Sequence, residues 1–283
     1  ANREALVSHG VLYPDPGGGH TDHGALSGLV FEEDRWPRQI SKREHITPGT
    51  VARQAEAILH QVDQARRSGT YETVVLSSEY FFRKLTAGNA ATISRLFVEP
   101  FDEVRFLCYI RHPAPRYLSS CLQRVRHSST IPRPGGGGFK PVLTSYAATV
   151  PLAVRAHDPV ALLDGDITRD FISAELPQIS GTGLLASDRD DNVSLSPEIA
   201  AILQEYRFAV YPGEDDVVHS SANRLRELLV DTAREHGLER PAELKPAVAR
   251  YIEQRSADEL AWLAEEYEIT FPGYEPVSEE PEA

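Results

Sequence analysis

Apolar and polar positions follow two rhythms along this chain, and together they predict an α/β fold. Between residues 51 and 67 the apolar positions Val51, Ala55, Ile58, Leu59, Val62 and Ala65 recur at helical spacing and line one face of an amphipathic helix. Elsewhere the apolar residues run together. Val74-Val75-Leu76 ends in Ser77-Ser78-Glu79, and the run from Val104 to Ile110 ends in Arg111-His112-Pro113. Uninterrupted runs of this kind suit strands covered on both faces. A helical stretch around residues 88–98 lies between them, the order expected of a parallel sheet with helices on both sides. Val150 to Ala156 is a further candidate strand, after a loop holding Gly135 to Gly138.

The ends of the chain add shorter elements. Residues 1–8 read as helix, Gly10 stops it, and Val11-Leu12-Tyr13 forms a brief strand closed by Pro14. A glycine-rich loop from Asp15 to His23 leads into a short helix marked by Ala25, Leu26, Leu29 and Val30. Residues 196–267 carry a mainly helical pattern punctuated by Pro212, Pro241 and Pro246, and the acidic tail 276–283 is expected to be disordered. No internal repeat is visible. A single domain over residues 1–275 is the simplest organisation for a chain of 283 residues with 41% hydrophobic content.

Charge and composition narrow the function classes. A formal charge of -13 argues against a general nucleic-acid surface, which needs clustered Lys and Arg, but leaves room for a local arginine pocket. No run of about 18 apolar residues is present to span a bilayer, and the opening residues lack the basic and apolar regions of a signal peptide. Cys108 and Cys121 are the only cysteines and form neither a disulfide framework nor a zinc spacing. The expectation is a cytoplasmic protein. Ala1 to Val7 reads as the end of a helix without its start, so a shortened chain and one that has lost its initiator Met both fit.

In open parallel sheets ligands bind beyond the carboxyl ends of the strands, so polar residues that directly follow the apolar runs are the candidates for chemistry. Arg111 offers a planar cationic fork. His112-Pro113 then turns the chain into a helix expected to open at Tyr117-Leu118-Ser119-Ser120, where backbone N–H groups and the Ser119 hydroxyl would suit a phosphate. Equally, Arg111 can pair with a carboxylate while Ser119 caps the helix. Glu79 fits a general base and fits a first-turn glutamate behind a Ser77 or Ser78 cap. His20 and His23 lie in the glycine-rich loop, where a histidine can contact substrate or sit in solvent; no third ligand completes a metal set around them.

The order of these features resembles a family of bacterial PAPS-dependent sulfotransferases of the P-loop nucleotide-binding class. The resemblance rests on Asn2-Arg3-Glu4-Ala5-Leu6, Gly10-Val11-Leu12-Tyr13-Pro14, His23, Ser77-Ser78-Glu79, and Arg111-His112-Pro113 with Ser119 eight residues after the arginine. It continues through Gly165-Asp166-Ile167-Thr168-Arg169-Asp170-Phe171 and Asn192-Val193-Ser194-Leu195-Ser196, to about residue 207. It implies a three-layer parallel sheet with a helical C-terminal part, and sulfuryl transfer from PAPS without a metal. The acceptor would be a small molecule or glycan, such as a carbohydrate or lipid-linked sugar. By the same resemblance Arg111 and Ser119 bind the 3′-phosphate of PAPS, while Glu79 and His23 are the catalytic candidates. Asp166, Asp170 and Phe171 read as turn, cap and core, and Asn192 as either a nucleotide contact or an Asx turn.

No Gly-x-x-x-x-Gly-Lys-[Ser/Thr] string occurs in the sequence, and Gly135 to Gly138 with Phe139-Lys140 has neither its spacing nor a strand before it. The expectation is therefore a chain lacking the first strand of the sheet, the phosphate-binding loop and most of the next helix, inactive alone and an enzyme in its complete form. The alternative is a non-catalytic relative that keeps the fold to bind a nucleotide or a protein partner. A kinase or NTPase is disfavoured because no acidic strand end resembles a metal-binding site.

Overall fold

A computed structural model describes residues 3–17, 20–36, 47–180 and 195–274. Ala1, Asn2, two glycines of the loop (Gly18 and Gly19), Asn192 to Ser194 and the tail 276–283 lie outside the described residues. In order, the elements are α1 (Arg3–Ser8), β1 (Val11–Leu12), α2 (Ser27–Val30), α3 (Pro48–Ser68), β2 (Thr73–Val74), α4 (Ala87–Ile93), β3 (Phe106–Ile110), α5 (Pro113–Arg124), α6 (Lys140–Ala147), β4 (Leu152–Ala156), α7 (Ile167–Glu175), α8 (Pro197–Val210), α9 (Ser220–Glu235) and α10 (Pro246–Tyr267). The fold is mixed α/β and predominantly helical, with two parallel strand pairs, β1–β2 and β3–β4.

The chain divides into two compact units. One draws on Ala1–Leu107, Pro141–Ala153 and Leu162–Arg189, the other on Cys108–Lys140, Val154–Ala161 and Asp190–Ala283. In the first unit α3 shows how sequence sets structure. Thr47 caps it by accepting the Thr50 N–H, Pro48 opens it, and Gly69 ends it at φ 64, a backbone angle that a side chain disfavours. Its buried face is Val51, Ala55, Ile58, Val62 and Ala65, five of the six positions that the spacing predicts. Gly28 of α2 lets this face come close, since a Cβ there would lie 2.5 Å from Val51 Cγ1. The core continues through Leu26, Phe31, Ile93, Phe97 and Tyr146. Ile58 is fully buried in it. Ile58→Ala is expected to cost about 2–5 kcal/mol through lost transfer energy plus a cavity. Urea unfolding checks this, the midpoint falling with the slope unchanged.

Strand pairing is parallel in both sheets. Val11 registers with Thr73 and Leu12 with Val74. Phe106 N donates to Pro151 O and His157 N donates to Ile110 O, so β3 and β4 advance in the same direction. The strands are shorter than the apolar runs suggested, and the run Val74 to Leu76 contributes only Val74 to a ladder that also takes in Thr73. Past Val74 the pairing with β1 goes on only through Val75 N donating to Leu12 O, and the Ser77 N–H donates to a histidine side chain.

A larger difference concerns α5. The sequence suggested a helix opening at Tyr117, but it starts at Pro113. His112 is the cap, its Nδ1 accepting the Ala114 N–H at 3.3 Å, and Pro113 and Pro115 fall in the first turn, where a missing N–H costs nothing. Ser119 therefore stands in the middle of the helix, not at its amino end. In the same unit α5 packs with α10, and Val125, Leu195, Ile199, Leu203 and Ala233 join α8 and α9 in a separate core. Asp166, read as a turn residue, caps α7 in place of Asp170 by accepting the N–H groups of Thr168 and Arg169, and Phe171 packs with Val11, Leu176 and Ile179 as the core reading expects. Among the described residues no helix is long and apolar enough to cross a membrane.

Candidate functional site

In the first unit the carboxyl ends of β1 and β2 meet at a histidine. His23 is fully buried. Its Nδ1 accepts the Ser77 N–H at 3.0 Å, which leaves the ring proton on Nε2, 3.0 Å from the Pro14 carbonyl oxygen that accepts it. The His23 backbone N–H donates to Ser77 O at 2.7 Å, and the Tyr13 ring lies 4.5 Å away, centroid to centroid. Burial holds the imidazole pKa below the ordinary histidine value against the opposing pull of these backbone groups. With both ring nitrogens engaged by backbone, His23 has none free for a substrate. In this arrangement it ties the two strand ends together.

Glu79 follows on the same segment. It is the first residue of a short 3₁₀ turn, Glu79–Phe81, whose cap is Ser78 accepting the Tyr80 N–H at 3.1 Å. The turn-opening position expected for it is thus present. Its carboxylate makes no hydrogen bond or ion pair among the described residues. The side chain reaches solvent, yet burial of the carboxyl against surrounding chain, and secondarily the Asp22 carboxylate, raise its pKa. Asp22 is itself committed, its Oδ1 accepting the Gly24 N–H at 2.6 Å. An uncommitted carboxyl with a raised pKa is chemically fit to accept a proton from an attacking hydroxyl.

Arg111 and Ser119 belong to the second unit. Arg111 leaves the carboxyl end of β3, and His157 occupies the corresponding place after β4. Arg111 Nη2 and His157 Nε2 are 3.4 Å apart. Among the described residues no carboxylate lies within 4.0 Å of the Arg111 guanidinium, so the carboxylate pairing that the sequence left open is not formed. Nor does Ser119 cap α5, since that place is taken by His112. Ser119 is half-buried on the helix. Burial first, and the Arg111 charge second, hold the His157 pKa low, so a half-buried cation faces a neutral ring. His112 is buried and stacks on Tyr274 at 4.1 Å, with Phe271 edge-on at 5.3 Å. Sequence reasoning passed over His157, although it directly follows an apolar run just as Arg111 does. His112 and Tyr274 carry no signal in the pattern.

These histidines make stability depend on pH. Burial lowers the His112 pKa to about 4, against 6.5 for an ordinary histidine, and His23 and His157 shift in the same direction. The unfolded chain then binds more protons below its own histidine pKa. The stabilisation is complete above 6.5 and is lost as pH falls from there towards the folded value. Urea midpoints measured at about pH 7.5 and about pH 5 are expected to show the lower stability at the acid end. His112→Asn, which keeps a capping oxygen, is expected to reduce that difference.

The glycine-rich loop before α6 is held by contacts of its own. Glu259 accepts the N–H groups of Gly138 at 2.6 Å and Lys140 at 3.2 Å, and Arg116 donates to Gly137 O while lying 4.9 Å from the Phe139 ring. Those amides are therefore engaged by a carboxylate. Cys108 is inert, its thiol pushed up to about 12 by burial. Among the described residues no group of three or more His, Cys, Asp and Glu side chains could hold a metal ion. The chain matches no family model, no curated protein and no solved structure.

Proposed function

We propose that this chain is the nucleotide- and acceptor-binding part of a PAPS-dependent sulfotransferase of the P-loop type, built on a three-layer parallel sheet. In this reading Arg111 and Ser119 hold the 3′-phosphate of PAPS, and Glu79 deprotonates the acceptor hydroxyl. The acceptor is a carbohydrate or lipid-linked sugar. The observation that carries the reading is Arg111, a half-buried guanidinium beyond the carboxyl end of a parallel strand, beside a neutral imidazole and without a carboxylate partner among the described residues. Such a group favours a doubly charged oxyanion. Glu79 adds a carboxyl with a raised pKa at the end of the other parallel pair.

In the transfer step the acceptor oxygen loses its proton to the Glu79 carboxylate and forms the new S–O bond as the bond from sulfur to the 5′-phosphate oxygen breaks. The work required of the protein is positioning and stabilising charge on the leaving phosphate. No residue of this sequence supplies the glycine-rich phosphate loop for that task, so catalysis belongs to a form that carries one. Nucleotide binding is testable with the chain itself. Calorimetry is expected to show that 3′-phosphoadenosine 5′-phosphate (PAP) binds and that AMP, which lacks the 3′-phosphate, binds at least about tenfold more weakly. Equal affinities would sink the assignment of Arg111 to that phosphate.

A further inference from the structure

Beside Arg111 stands an aromatic stack that the phosphate reading leaves without a task. Its parts all belong to the second unit: His112 directly after Arg111, Asp158 after β4, and the segment that follows α10. That helix ends at Tyr267. Glu268 turns the chain at φ 57, a left-handed angle, and the Ile269 N–H reaches back to Leu263 O at 3.2 Å. Ile269 and Phe271 are buried, and Phe271-Pro272-Gly273-Tyr274 makes a turn closed by the Tyr274 N–H donating to Phe271 O at 2.9 Å. The turn lays Tyr274 flat on His112, with ring centroids 4.1 Å apart and planes only 8° from parallel, while Phe271 meets the imidazole edge-on.

The lower ring of this stack is fixed and the upper one is open. His112 is 2% exposed and its Nδ1 caps α5, so the imidazole cannot swing away without giving up the cap. Tyr274 is 39% exposed, and His112 is its one ring partner among the described residues. One face of the phenol ring rests on the imidazole, which leaves the other to solvent. Burial first, then the Asp158 carboxylate, raise the Tyr274 pKa while the Arg111 charge opposes them, so the ring stands close enough to feel the guanidinium. A rigid, exposed aromatic face loses little conformational freedom when a flat ligand stacks on it. A nucleotide is the ligand that offers both a flat heteroaromatic ring for Tyr274 and a phosphate for Arg111.

We infer that the outer face of Tyr274 is the platform on which the adenine ring of the nucleotide stacks. The inference rests on the nucleotide reading and adds to it the residue that recognises the base. Calorimetry on the chain compares PAP, AMP and ribose 5-phosphate, which keeps the sugar and phosphate of AMP but lacks the base. Wild-type protein is expected to bind AMP at least about tenfold more tightly than ribose 5-phosphate. Tyr274→Leu, which still covers His112 but has no ring, is expected to weaken PAP and AMP alike by at least about fivefold, leaving their ratio unchanged and ribose 5-phosphate unaffected. Tyr274→Phe is expected to stay within about twofold of wild type, because stacking needs the ring and not the hydroxyl. Arg111→Ala is expected to do the opposite, losing the difference between PAP and AMP and keeping that between AMP and ribose 5-phosphate. The fluorescence of the 1,N6-etheno derivative of AMP is expected to be quenched on binding to wild-type protein, a readout that needs no variant. Equal wild-type affinities for PAP and AMP with the Tyr274 pattern intact would strike the Arg111 assignment and support the stacking. Unchanged AMP binding in Tyr274→Leu, tighter nucleotide binding in that variant, a Tyr274→Phe as weak as Tyr274→Leu, or a bound etheno nucleotide without quenching would each overturn the stacking and leave the Arg111 assignment standing. Absence of any adenine nucleotide binding would remove both.

Discussion

Arg111→Ala is expected to weaken PAP binding by about 100- to 1,000-fold, equivalent to roughly 3–4 kcal/mol, while leaving AMP affinity nearly unchanged. The size follows from removing a charge-assisted donor from a doubly charged phosphate in a half-buried setting, where water replaces it poorly. The contrast between the nucleotides makes the result specific. A substitution that only loosened β3 and β4 would lower both affinities together, whereas loss of a 3′-phosphate contact removes the difference between them. Arg111→Lys is expected to recover only part of the affinity, because an ammonium does not reproduce the planar fork. Retained discrimination between PAP and AMP in Arg111→Ala would remove the arginine from the phosphate.

The second large effect is expected at Glu79. In a form of the protein that carries the phosphate loop, Glu79→Gln is expected to lower kcat by about 10²–10⁴-fold, with PAP affinity altered by less than about twofold. Its raised pKa fixes the sign of the pH dependence. A base must be ionised to act, so turnover is expected to fall as pH drops, at a higher pH than an ordinary glutamate would give, and Glu79→Gln is expected to abolish that limb. Steady-state rates against pH, with PAP affinity measured in parallel, test this. An unchanged kcat would assign the proton to another group. A loss of kcat together with PAP affinity would mark Glu79 as structural, a role that its place at the opening of a capped turn makes concrete.

What the sequence determined by itself is the set of elements and the surfaces they bury. The periodicity of α3 predicted its buried face, the apolar runs predicted strands near β2, β3 and β4, and the C-terminal helices followed from their pattern. These features are legible because helical and extended chains place side chains at fixed intervals and burial selects apolar ones at those intervals. The rule that polar residues after apolar runs are candidates for chemistry reached Arg111 and Glu79, which both lie at or just past strand ends.

Only the tertiary structure decided what each of those side chains meets. His23 read as a loop histidine placed either to contact substrate or to sit in solvent; folding buries it and spends both nitrogens on the backbone at Pro14 and Ser77. Ser119 read as a helix opener; two prolines and the His112 cap move that opening back to Pro113. Arg111 had an open choice between a carboxylate and a ligand, and the approach of His157 from 46 residues away leaves the guanidinium beside a neutral ring. Local pattern records whether a residue is buried and on which face. The partner of a charged or hydrogen-bonding group comes from distant parts of the chain and is fixed only when those parts pack.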